Sequence, residues 1–577
     1  MSLLEKIDSP ETDEIEPGKR LIRVGGGQGA SLGEHLSSLV HRLSWRTPFH
    51  ALRLRGRAPL KLLAVPKDPV AGDKAAGEAI LHGRFVRRGE AFAVESLDFN
   101  DASLPGDVSD YLESFEWLRD LAAAATRERG AKLAEKIVHK WLAAHADTID
   151  ERGWRADLWG RRILFWTAYA PYILSSRDSA YRAVLLNTLS RGARHLDKAA
   201  ERARPGLARI TAWAGVIAAA LLVQGGPARL RRGESGLARA LAASLHDDGG
   251  LVSRSPAEQL MLVELLGQLR AAYYAGDRDM PEAVADALSG AASALLGATL
   301  GDEALSSWQG GNMVSKRRVA AALEGSGVRV RPLRQPRGWG YQRLEAKGTV
   351  ALFDAAPPPP TRAFAGGCAS TLAFELSEGT SRLVVNCGGP GQARGALPAG
   401  LVQALRSSAA HSTLTLGDRN STAVHADGSL GKGVSQVELA RDETAGVMVE
   451  ASHDGYVRRF GLVHQRQLTL APDGRELRGQ DLLTLQGRRR ADSIPYAVRF
   501  HLHPDVEAAT TADGQGALLR VRGRTVWQFR CRGGRLAIED SLWVDGDAGL
   551  RETSQLVVAG DSPADGTAIA WIFRRAG

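Results

Sequence analysis

His411, in Ala409-Ala410-His411-Ser412-Thr413-Leu414, and His453, in His453-Asp454-Gly455-Tyr456, are the residues of this chain whose type and setting best suit chemistry. Both lie in stretches that read as β-strand, and two carboxylates, Asp418 and Asp427, stand between them in sequence. Two imidazoles and a carboxylate converging from neighbouring strands make a ligand set for a divalent metal of the zinc type. For His411 alone the competing role is a polar strand residue bonded to a neighbouring carbonyl. No nucleotide-binding, nucleophile-elbow or zinc-protease motif points to another chemistry.

These residues depend on two kinds of element. From about Tyr111 to Leu300 apolar residues recur every three or four positions, as in "YLESFEWLRDLAAAATRERGAKLAEKIVHKWLAAH" and "EQLMLVELLGQLRAAYYAG", with glycine-rich breaks. That spacing predicts six or more successive helices, packed as a bundle, solenoid or α/α toroid. The apolar run Ile210 to Val223 is shorter than a spanning helix of roughly 20 residues and reads as a buried core helix. Trp154, Trp159 and Trp166 read as core as well.

Beyond about Gln335 the period becomes two. "STLAFELSE", "SRLVVNCG", "HSTLTLG", "RQLTLAPDG" and "YAVRFHLHPDV" are strand-like and separated by Gly, Asp or Pro turns. They predict a large antiparallel β-sandwich over 335–577. Arg499, His501 and His503 alternate along one of these strands and share a face. Pro357 to Pro360 reads as a surface loop.

The 577 residues exceed one ordinary hydrophobic core, so at least two domains are expected. A hydrophobic share of 44% with 24% charged residues is that of a soluble globular protein. Cys368, Cys387 and Cys531 are too scattered and too few for a disulfide framework. The net charge of +9 suits an anionic partner. Aromatic residues are sparse and no nucleic-acid motif accompanies the charge, so no nucleic-acid partner is expected. Residues 1–35 are expected to be disordered, with no basic start and apolar run of about 7–15 residues of the secretory kind. Residues 36–65 are basic and amphipathic, suited either to a membrane surface or to packing as an arm on the helical domain that runs to 334. Cytoplasmic residence, or peripheral attachment to an inner membrane, follows as the expectation.

The order of strings carries a resemblance. "SFEWLRDLAA", "WGRRILFW" and "DDGGLVSRSP" in the first half, then "LAFELSEGTSRLVVNCGGPG", "LRSSAAHSTLTL", "ASHDGYVRRFGLVHQRQLTL" and "RFHLHPDV" in the second, resemble the heparinase II/III-like proteins, a polysaccharide lyase group. The resemblance covers nearly the whole chain after about Leu39. It implies an incomplete α/α toroid packed on an antiparallel β-sandwich, with a cleft for an acidic polysaccharide between them, and it makes the periplasm the alternative compartment. It also implies β-elimination at a uronic acid: one group neutralises the C5 carboxylate, a base removes the C5 proton and an acid protonates the leaving oxygen.

Carried onto this chain, the resemblance makes His411, Asp427 and His453 the metal ligands, with Asp418 as the alternative carboxylate. His464 reads as a structural hydrogen-bonder. The catalytic positions match less well. Ala409 and Leu251 stand where members carry histidine, and no Asn-His pair or motif tyrosine follows the family pattern. Among Tyr169, Tyr172, Tyr273, Tyr274 and Tyr456, the last is nearest the metal-type residues, so Tyr456 is the acid/base candidate alongside His411. Arg254 and Arg406 are candidate contacts to an anionic glycan, because guanidinium pairs with carboxylate or sulfate through two parallel bonds. Trp308 and Asn312 flank two glycines and are candidates to line the cleft, against the plainer role of a turn closing the toroid. The expected function is eliminative cleavage of a uronate-containing glycan. The alternative is a non-catalytic glycan-binding or cell-envelope assembly protein on the same scaffold.

Overall fold

A computed structural model of the chain describes residues 12–16, 19–23, 54, 61–87, 90–224, 226–362, 364–389, 397–488, 493–521, 525–546 and 549–576. Helical periodicity in the first half becomes a succession of helices from Gly106–Ser114 to Lys316–Ser326, forming a toroid-like domain. Arg127–His145 turns Ile137, Val138, Trp141 and Leu142 inward. Leu207–Leu222 is buried along almost its whole length, as its unbroken apolar run requires. It meets Ala156–Ala168 so closely that a Cβ on Gly160 would lie 2.2 Å from the Thr211 carbonyl oxygen, a crossing that only glycine permits. Trp154, Trp159 and Trp166 are in this core. Among the described residues no helix is long and apolar enough to cross a membrane.

The second half is two antiparallel sheets packed face to face. One has the order Thr12–Glu16, Lys19–Arg23, Gln436–Asp442, Val447–His453, Leu462–Leu470, Glu476–Leu485, Gly566–Arg575, Val526–Arg532, Gly516–Val521 and Val506–Thr510. The other runs Arg535–Asp545, Gly549–Pro563, Ser493–Leu502, Ser381–Val385, Phe374–Glu378, Thr349–Asp354 and Tyr341–Ala346, with Leu414–Leu416 also paired to Ser493–Leu502. Phe374 of one sheet stacks on Trp571 of the other, centroids 5.3 Å apart and rings 9° from parallel. The change of period expected at 334/335 falls between helix Lys316–Ser326 and strand Tyr341–Ala346.

Strand alternation puts more than apolar groups inside. Along Leu462–Leu470 every second residue is buried, and that set includes His464 and Arg466. Sheet register then places His453 opposite His464, and Arg466 opposite Asp481.

Two expectations need correction. The N-terminus is not unstructured throughout: Lys19–Arg23 pairs with Gln436–Asp442 and carries Thr12–Glu16 outside it. Ile22 is inserted into the sandwich core, which gives this hairpin its anchor. Pro357, Pro358 and Pro359 are buried rather than a surface loop, because their segment lies along the seam between the domains. Of the amphipathic segment 36–65, only Leu54 and residues 61–65 fall within the described residues. Leu54 is buried and its carbonyl accepts a bond from Arg194.

Candidate functional site

Four of the candidate residues, Arg254, Trp308, Asn312 and Arg406, lie where the toroid meets the sandwich. Helix Pro256–Ala275 starts there for local reasons: Ser255 caps it by accepting the Glu258 N–H, and Pro256 supplies a pre-set φ in its first turn. The turn before it is fastened to the other domain, since Asp248 Oδ2 accepts the Gly338 and Trp339 N–H groups at 2.9 and 3.0 Å. Arg254, in left-handed conformation at φ +53, extends from this turn. Its guanidinium donates to the carbonyls of Trp339, Ala356 and Pro357 and to Asp354 Oδ1 at 2.5 Å. The Tyr341 ring lies 4.8 Å away. Burial alone would weaken the cation, but Asp354 outweighs it and holds the Arg254 pKa above the usual range. Arg254 is therefore a buried tie between domains and not a contact open to a polyanion.

The loop after helix Glu282–Gly297 supplies the other side of the seam. Gln309, also left-handed at φ +48, bridges the domains by donating to Ser370 Oγ and accepting the Cys368 N–H. Ser370 in turn donates to Asp354 Oδ2. Trp308 is fully buried beneath this junction against Tyr341, so it offers no face to a sugar ring. Asn312 is buried too, and its Oδ1 accepts the Gly389 N–H at 2.7 Å. Arg406 spends Nε and Nη2 on the Gly367 carbonyl. The polar residues expected to line a cleft hold the cleft walls together instead.

The histidines divide sharply. His411 is buried, and its Nδ1–H donates to the Ser407 carbonyl at 2.7 Å, so the tautomer is set and the lone pair sits on Nε2. Burial holds its pKa below the usual histidine value despite that bond. His453 is closed at both nitrogens: Nδ1 accepts the Gly455 N–H at 3.1 Å, and Nε2 lies 3.4 Å from His464 Nδ1. His464 Nε2 then donates to Asp481 Oδ1 at 2.7 Å. Asp481 also receives two bonds from Arg466 and one from Trp571, completing a buried chain in the sandwich core. His501 is likewise closed, between the Ala409 carbonyl and Ser541 Oγ, and burial pushes its pKa down to about 3.

The expected metal set is not assembled. Asp427 is exposed in a turn, where its Oδ1 accepts the N–H and hydroxyl of Ser429. Asp418 occupies the left-handed position of a tight turn at φ +51. With His453 engaged at both nitrogens, these side chains as placed do not fit a shared metal. Among the described residues no group of three or more His, Cys, Asp or Glu is arranged to hold one. Tyr456, the acid/base candidate, packs in the sandwich core and donates its hydroxyl to the Leu414 carbonyl at 2.9 Å. Burial raises its pKa, the opposite of what a catalytic phenol needs. The cysteines Cys368, Cys387 and Cys531 are free and buried.

The partners that sequence reasoning missed are Asp354, Gln309, Ser370, Asp481 and Arg466. Asp354 and Asp481 sit in otherwise strand-like strings and carry no motif of their own. The usable signal was a charged residue at an inward position of an alternating strand, as in "LVHQRQLTL", where His464 and Arg466 share phase with three leucines.

Comparison with known proteins places this geometry. Residues 328–572 match the family described as Heparinase II/III-like, C-terminal. The chain is 31% identical over 561 residues to FtsZ-localized protein C of Caulobacter vibrioides, covering 91% of this chain and 92% of that protein. The crystal structure of heparinase III shares the fold at a TM-score of 0.67, with 12% identity over 94% of this chain and 91% of that one. Heparan sulfate lyase HepC from Pedobacter heparinus does so at 0.55, with 14% identity over 94% and 88%.

Proposed function

The chain belongs to the heparinase II/III-like family, and on that premise we propose that it serves as an assembly protein of the FtsZ-based division machinery, built on a lyase scaffold without the lyase reaction. The observation that carries this reading is the closure of the seam. β-Elimination needs a group to neutralise the substrate carboxylate, a base and an acid, all free to meet the sugar. Arg254, Arg406 and Tyr456 are each buried and bonded to protein carbonyls, and His501 is bonded at both nitrogens. The relative matching along nearly the whole chain is named for its localisation to FtsZ, which supplies the place of action.

A second reading, eliminative cleavage of an acidic glycan, has one observation in its favour. The Ser407 bond leaves His411 with its basic nitrogen unspent, the state a general base or a metal ligand presents. One imidazole covers one of the three roles.

The test of the first reading is cosedimentation of the purified chain with FtsZ filaments polymerised by GTP. The chain is expected in the pellet with filaments and in the supernatant when GTP is omitted. Recovery in the supernatant under both conditions, at concentrations up to those of FtsZ itself, would overturn the reading.

A further inference from the structure

The helical half contains a basic hollow built from elements other than those of the seam. It lies between the later turns of helix Ser179–Ala199 and the first turns of helix Gly226–Ser244, opens to solvent and has a volume of about 500 Å³. Ser190, Arg194, Asp197, Gln224, Arg229 and Arg232 line it. Among the described residues, three guanidinium groups against one carboxylate leave two positive charges in excess.

The three arginines are unequally satisfied. Arg229 is committed, donating to both Asp197 oxygens and to the Gln224 carbonyl. Arg194 donates from Nε to the Leu54 carbonyl and from Nη1 to Ser190 Oγ, both at 2.7 Å. Its Nη2 is buried and has no partner among the described residues. Arg232 reaches Asp197 only at 3.9 Å, with half of its side chain exposed. Burial, and then the neighbouring cations Arg229 and Arg191, press the Arg194 pKa below the usual arginine range. Gathering like charges is unfavourable, and an anion in the hollow relieves that crowding.

Charge balance selects the anion. A phosphate monoester carries close to two negative charges at neutral pH and several strong acceptor oxygens, matching the excess charge of the hollow. A carboxylate or a sulfate ester would leave one positive charge uncompensated. We propose that this hollow is a binding site for a phosphate-monoester group, held by the half-exposed Arg232 guanidinium and the excess positive charge of Arg194 and Arg229, and framed by the Arg229–Asp197 pair. The group arrives either on a soluble phosphorylated metabolite or on a lipid headgroup such as phosphatidic acid.

Titration calorimetry of the full chain with glycerol 3-phosphate, at constant ionic strength and with methyl sulfate, a monoanionic sulfate ester, as control, tests the soluble source; flotation with phosphatidic-acid vesicles tests the lipid source. Saturable binding in either arm is expected, weaker for the sulfate ester, and reduced about tenfold or more in Arg194→Gln and Arg232→Ala, each of which removes one positive charge. Arg232 is half exposed, so its variant keeps the test valid if Arg194→Gln misfolds. Binding of glycerol 3-phosphate assigns the soluble source, and binding of vesicles alone assigns the lipid. Absence of saturable binding in both arms, or binding unchanged in Arg232→Ala, overturns the proposal.

Discussion

The helical half buries His145 beside two carboxylates, whereas the sandwich buries His453 and His464 beside one. His145 Nδ1 lies 2.7 Å from Asp150 Oδ2 and its Nε2 3.3 Å from Glu113 Oε1. Arg162 contacts the same Glu113, so two carboxylates face one arginine and leave room for one protonated imidazole. Burial opposes that charge, but Asp150 and Glu113 outweigh it and raise the His145 pKa to about 9. In the sandwich Arg466 already balances the single carboxylate of Asp481. His464 and His453 consequently stay neutral, with burial driving both pKa values down. The carboxylates left over after arginine pairing, set against burial, separate His145 from His464 and His453.

The largest effect is expected where that balance is broken outright. Asp481→Asn leaves the Arg466 cation buried without its counter-charge and should cost about 3–5 kcal/mol in urea unfolding. The double variant Arg466→Met, Asp481→Leu removes both charges and should recover much of that loss. A double variant no more stable than Asp481→Asn would show that the ion pair itself, and not the orphaned charge, sets the cost.

Next in size is an opposition in pH. The folded pKa of His145 lies above the ordinary histidine value, so its stabilisation is complete below about pH 6.5 and is lost as pH rises through about 9. The loss should be on the order of 2–3 kcal/mol by urea midpoints, and His145→Gln should flatten that alkaline limb. His501 has the reverse sign: its folded pKa is pushed to about 3, so its contribution is present above about pH 6.5 and is lost as pH falls toward 3. An alkaline limb that persists in His145→Gln would assign the proton elsewhere.

Smaller effects separate structural from chemical roles among the residues first singled out. Tyr456→Phe removes the bond to the Leu414 carbonyl and should cost about 1 kcal/mol in thermal or urea unfolding. Asp427→Ala, in an exposed turn, should change stability by about 0.5 kcal/mol or less and leave the metal content of the purified protein unaltered. A fall in bound metal in that variant would restore Asp427 as a ligand.

The order of architecture was legible because period is a local property: helical spacing before Leu300 and alternation after Gln335 state which faces are buried. The buried helix Leu207–Leu222 was legible for the same reason. The site was not. That His453 stands opposite His464 is set by strand register across the short helix Val457–Phe460, and Arg466 meets Asp481 only through the next hairpin. Asp427 lies between the two histidines in sequence yet belongs to an exposed turn, because the Ser429 N–H and hydroxyl satisfy it locally. Arg254 looked like a free cation beside a glycine turn. Its partners, the carbonyls of Trp339, Ala356 and Pro357, are backbone atoms that no residue pattern announces.

The contrast that matters most for function is between Arg254, Arg406 and Tyr456, each bonded to protein carbonyls, and His411, whose Nδ1 bond leaves Nε2 as its basic nitrogen. Incubating the protein with heparan sulfate, chondroitin and unsulfated glycuronans, and following the absorbance of unsaturated uronate, tests it directly. The account predicts no growth of that absorbance on any of these polymers. Growth that is abolished in a folded His411→Ala variant would contradict it and make this chain a working lyase.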